Sequence, residues 1–161
     1  DLIDNFQNIY EDKWLNMMKN KLGLFGEDKG DKQLIGDLLN WMEKNKADYT
    51  NTFCNLMSIN SDEIYKKNDF INWKNRWIKR SMLNNSTKEI QSKIMEENNP
   101  TVIPRNHKVE EALAEAEKGN LDKIKKLLTI FKNPYDNQNN IKEYQVPASS
   151  SNKKYQTFCG T

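Results

Sequence analysis

The sequence predicts an all-α fold: an irregular bundle of about six or seven helices followed by an extended C-terminal arm. Three observations predict it. Apolar residues recur at three- and four-residue steps along most of residues 1–132, the spacing that puts them on one side of a helix. No stretch alternates cleanly enough for a strand. After Phe131 the stripe stops, and "NPYDNQNNIKEYQVPASSSNKKYQ" brings two prolines, many asparagines and a serine run. Two regions are therefore expected: residues 1–132, helical, and residues 133–161, a loosely ordered tail ending in Cys-Gly-Thr.

The elements follow in order. Leu2, Phe6, Ile9, Tyr10, Trp14, Met17 and Met18 define one face of a first helix, closed by Gly23 and Gly26. A second helix follows Asp31, with Leu34, Ile35, Leu38, Leu39 and Met42 as its stripe. "ADYTNTFCNLM" is a third, carrying Tyr49, Phe53, Leu56 and Met57 inward. "DFINWKNRWIKR" is a fourth, with Asp69 as its expected N-cap. Ser86 and Glu89 have capping-box spacing ahead of Ile90, Ile94 and Met95, and that helix runs to the proline of "NNP". A helical hairpin, "HKVEEALAEAEKGNLDKIKKLLTIF", comes next, with Gly119-Asn120 ending one helix and capping the other.

Composition narrows the function classes. The chain has 25 basic and 23 acidic residues among 161, a net charge of +2 too balanced to single out nucleic acid or anionic membrane. No run approaches the roughly 20 apolar residues of a membrane span. Two cysteines are too few for a disulfide framework, so the expected compartment is the cytoplasm. The chain opens "DLIDNF", without an initiator methionine and already inside a periodic pattern, as a piece of a longer protein would.

Each chemical constellation has a structural explanation. "NWKNRWIKR" interleaves rings with cations as a nucleic-acid site does. Yet Phe70, Trp73 and Trp77 share one face, leaving Arg76 and Arg80 on a solvated basic one. His107 stands alone beside two glutamates, too few ligands for a metal, and is expected to serve a helix entry. Glu110, Glu111, Glu115 and Glu117 read as an exposed charged face. The alanine-rich hairpin has the look of a repeat unit, but occurs once. No Gly-rich phosphate loop, nucleophile elbow or Walker lysine occurs, so no catalytic, cofactor-binding or metal-binding residue is assigned. Cys54, among apolar neighbours, is expected to be a small buried hydrophobe. Cys159, two residues from the end, is incidental, pinned or reactive.

"KLGL", "DYTNTF", the Phe70–Trp73–Trp77 spacing, "NPTVIPRNHKVEEALAEAEKGN", "NPYD" and the terminal "FCGT" occur in an order that resembles the selenoprotein O family. The resemblance covers nearly the whole chain and corresponds to the C-terminal third of a family member. It implies a region of a kinase-like protein, a pseudokinase that transfers AMP from ATP to protein Ser, Thr or Tyr hydroxyls with pyrophosphate leaving. ATP and magnesium would belong to that full-length protein, and the catalytic motifs are expected upstream. The partners implied are the upstream kinase-like domain and the protein substrates. Cys159 stands where some members carry selenocysteine, which implies a redox-capable residue able to pair with Cys54, an upstream cysteine or a substrate. Gly160 and Thr161 depart from the Ser-Ser ending of other members. This region itself would be a non-catalytic buttress, with some of Trp14, Trp41, Trp73 and Trp77, many large aromatics for a small helical unit, expected to face a neighbour. The rival reading is a free-standing helical module that docks protein or nucleic acid and has no enzymatic activity.

Overall fold

Eight helices form among the described residues of the computed structural model, which are Ile3 and residues 5–57, 62–83 and 87–148. They are α1 (Phe6–Lys21), α2 (Asp31–Asn45), α3 (Tyr49–Met57), α4 (Asn68–Ser81), α5 (Lys88–Asn98), α6 (Asn106–Glu117), α7 (Asp122–Phe131) and α8 (Lys142–Gln145). A 3-10 turn, Glu63–Lys66, precedes α4, and no strand occurs among these residues. The all-α expectation is met. The chain divides into two compact units, one of residues 1–101 with 134–137, the other of 102–133 with the described residues from 138 onward.

The first unit is built around aromatic rings. Phe70, Trp73 and Trp77, at three- and four-residue spacing on α4, are all buried, and Trp41 of α2 meets Phe70 at 4.6 Å between ring centroids. Tyr65 joins them at 5.1 Å from Phe70. Burying one such side chain contributes about 1.5–3 kcal/mol. Two polar ends are matched as well: Trp73 Nε1 donates to the Leu34 carbonyl at 2.8 Å, and Trp77 Nε1 to the Leu22 carbonyl at 2.9 Å. Trp73 and Trp77 therefore serve this unit's own core, as their spacing predicts, and Trp41 joins them, so none of these three is left to face a neighbour. Trp14 is half-buried against the same core.

The turn after α1 is set by its glycine. Leu24 N donates to the Lys19 carbonyl at 2.9 Å and Gly23 N to the Asn20 carbonyl at 3.0 Å, a Schellman closure with Gly23 at φ +62°. Leu24 and Met18 are buried, as that motif requires of its apolar partners. Gly23 has a second constraint. A β-carbon there would lie 2.5 Å from Gln91 Cγ and 2.9 Å from Met95 Cγ, so α5 packs against bare backbone.

Several expectations are corrected. The α1 stripe does not point one way: Met18 is buried, whereas Phe6, Tyr10, Ile9 and Met17 are exposed by 66%, 58%, 42% and 44%. Leu2 lies outside the described residues. Arg80 is not on a solvated face. It is buried, donating through Nε and Nη2 to the two oxygens of Asp31 at 2.7 and 2.9 Å and to the Phe25 carbonyl at 2.9 Å. Lys19 Nζ stands 4.0 Å from the same carboxylate and donates to the Gly26 carbonyl. The arginine thus ties α4 to the loop entering α2. At α5 the N-cap is Thr87, whose hydroxyl accepts from Ile90 N at 3.3 Å; Ser86 lies outside the described residues. Asp69 falls inside α4, which begins one residue earlier.

The second unit is smaller. Val102, Ala112, Leu127, Ile130, Ile141 and Tyr144 form its buried cluster, from α6, α7 and α8. Gly119, at φ +88°, ends α6, and Asn120 Oδ1 accepts from Asp122 N at 3.0 Å as α7 starts, as the hairpin sequence predicts. Within the expected tail, α8 is one helical turn whose Tyr144 is buried, anchored by apolar contact where periodicity shows nothing. Residues 134–137 group instead with the first unit, where Thr101 N donates to the Pro134 carbonyl at 2.8 Å.

Candidate functional site

Cys159, the redox-capable residue of the tail, lies outside the described residues. Cys54, the other cysteine, is half-buried on α3, more exposed than a core hydrophobe, and its Sγ donates to the Pro100 carbonyl at 3.4 Å. Three elements of the first unit meet near it. Lys21 ends α1, and its Nζ donates to the Asn98 carbonyl and to Asn99 Oδ1, each at 3.0 Å. Asn99 in turn donates through Nδ2 to the carbonyls of Lys21 and Met95, both at 2.8 Å, so one buried amide joins the ends of α1 and α5. The Lys21 ammonium also stands 4.8 Å from the Phe53 ring centroid and 5.7 Å from that of Tyr49.

Burial pulls Lys21 below the ordinary lysine range, an effect that the Cys54 side chain partly opposes. Tyr49 is pushed above its ordinary range, also by burial. Chemically, this centre sets a thiol near an ammonium that makes two hydrogen bonds to the end of α5. It fixes the ends of two helices, α1 and α5, beside the middle of α3. Nothing in the sequence pairs Lys21 with Cys54 or Asn99, because each lies on a different element.

The remaining candidates stand where their residue types place them. His107 sits half-exposed in the first turn of α6. Glu111 is bound by Lys123, which holds its carboxyl below the usual glutamate range, with Lys108 at 3.5 Å. Glu115 pairs with Lys118 at 3.2 Å. Glu110 and Glu117 are exposed. Among the described residues no group of three or more His, Cys, Asp or Glu is arranged to hold a metal ion. Nor is any described helix long and apolar enough to cross a membrane.

The fold and this lysine–thiol centre define a helical packing region rather than any family of repeats. Comparison with known proteins identifies which. The model of the family "Protein adenylyltransferase SelO" matches residues 1–132, and the chain belongs to that family. It is 53% identical over 161 residues to the protein nucleotidyltransferase YdiU of Pelagibacter ubique (strain HTCC1062), covering 99% of this chain and 33% of that protein. It is 43% identical over 164 residues to the protein of the same name from Bacillus cereus (strain AH820), covering 100% of this chain and 34% of that one. The chain thus spans about a third of the length of the curated relatives it matches.

Proposed function

We propose that this chain is the non-catalytic helical part of a cytoplasmic, kinase-like adenylyltransferase that moves AMP from ATP to protein hydroxyl groups. The family match over residues 1–132 carries this reading, together with the nucleotidyltransferase name of its relatives. Transfer of AMP is attack by a Ser, Thr or Tyr oxygen on the α-phosphorus of ATP. The bond to the bridging oxygen breaks, pyrophosphate leaves and the hydroxyl proton passes to a base. Charge builds on the departing pyrophosphate, which calls for a divalent cation and fixed cations. In this reading the nucleotide, magnesium and base belong to the rest of the full-length protein.

This chain's residues do mechanical work in that scheme. The aromatic core, the Arg80–Asp31 pair and the Asn99 amide make a rigid body against which the kinase-like part is braced. Cys159, within the terminal "FCGT" run, adds a redox-capable thiol. If Cys159→Ser left the full-length activity equally responsive to oxidant and reductant, that role would be lost.

The test is transfer of label from α-phosphate-labelled ATP to protein with magnesium, comparing the full-length protein with this chain. The expected result is transfer by the full-length protein alone. Labelling by neither overturns the AMP-transfer reading, and labelling by this chain alone overturns its non-catalytic role.

A further inference from the structure

Helix α1 is apolar on two sides, and among the described residues only one is covered. Met18 and Leu22 are fully buried, with Trp14 and Leu15 packed beside them. About a third of a turn round the helix, at roughly 100° per residue, lie Phe6, Tyr10 and Met17, with Ile9 flanking them. All four are exposed. Single exposed apolar side chains are ordinary, but a contiguous set is a mark of an interface. Here the Phe6 and Tyr10 rings stack at 6.3 Å and 26°, and Met17 lies on the same line of the helix two turns on.

We infer that the outer face of α1 is an intramolecular interface, covered in the full-length protein by the polypeptide that this chain does not include. This deepens the buttress reading and rests on it. The occupant follows from length. The chain matches 33% of a relative, so a full-length protein of that relative's size would hold about twice as much polypeptide besides. A tethered partner also meets a face at high effective concentration, which a second molecule does not. Tyr10 suits such a boundary, with a ring to bury and a hydroxyl to leave at the rim.

Hydroxyl-radical footprinting of the native full-length protein tests this without nucleotide, so its result is independent of AMP transfer. Phe6, Tyr10 and Met17 are expected to be protected as strongly as the core residues Met18 and Phe53, at every protein concentration. Modification severalfold faster than Met18 and Phe53 would overturn the inference. Protection that fades on dilution would assign the face to a second copy, and protection that disappears on deleting residues 149–161 would assign it to this chain's own terminus; each overturns it. Phe6→Glu combined with Tyr10→Glu should lower the unfolding temperature of the full-length protein. An unchanged temperature would count against the inference, and the wild-type footprint decides if that variant does not fold.

Discussion

The two units solve the same problem with different materials. The first buries a set of large rings and an arginine–carboxylate pair, so its helices are joined by apolar contact and by directed hydrogen bonds. The second buries a shorter set without tryptophan and places its ion pairs outside: Lys123 with Glu111, Lys126 with Glu143 at 2.9 Å, and Lys108 with both glutamates. Charges inside a core are costly to break, whereas exposed ones are screened by water and salt. The difference teaches where the chain is brittle. Substitution in the first unit should be felt sharply, while the second should answer to solution conditions.

The largest expected effect is at Arg80. Arg80→Met removes the partner of a buried Asp31 and should cost about 3–5 kcal/mol in denaturant unfolding. A loss below about 1 kcal/mol would show that water reaches the carboxylate and would erase the contrast between the units. Gly23→Ala comes next, at about 1–3 kcal/mol, because it combines positive φ with a backbone contact on α5. Restored stability in Gly23→Ala with Gln91→Ala would separate the steric part from the conformational part.

The smallest effects belong to the second unit. Lys126→Met should leave the thermal midpoint unchanged in high salt. Its glutamates should nonetheless register acid. Lys123 holds Glu111, and Lys126 holds Glu143, below the ordinary range. A depressed carboxylate contributes stability that is fully present above its unfolded value of about 4.3 and is lost as pH falls through the lower folded one. Amide protection factors in α6 and α7, corrected for the intrinsic pH dependence of exchange, should therefore fall on acidification through that window. Rates that follow only the intrinsic pH dependence of exchange would remove these pairs from the account.

Much of the fold is legible because periodicity reports burial. Leu34, Ile35, Leu38 and Met42 on α2, and Phe70, Trp73 and Trp77 on α4, are buried as their spacing predicts. What periodicity cannot distinguish is two apolar faces on one helix. Three- and four-residue steps from Phe6 to Met18 merge an outer and an inner stripe, and only the packing of α1 separates them. Arg80 was illegible for another reason. A charged residue reads as exposed until its partner is known, and Asp31 lies on an element formed 49 residues earlier in the chain. The centre around Lys21, Asn99 and Cys54 is equally non-local. In α8 the anchoring residues, Ile141 and Tyr144, are too few to make a period. The family, by contrast, is carried by runs such as "NPTVIPRNH", whose order survives without any knowledge of contacts.

The bare backbone at Gly23 has a consequence at the opposite end of α1. The helix is 16 residues long, a rod of about 24 Å at 1.5 Å per residue, and it is fixed against α5 at its C-terminal end. Such a rod is a lever with its pivot at one end. A side chain wedged into the pivot that tilted it by about 5° would carry Phe6 sideways by about 2 Å over that length. That is enough to misalign a close-packed contact, for which tenths of an ångström matter. The residue with no side chain thus aims four that have large ones, and a change at position 23 would be felt on a surface it never touches.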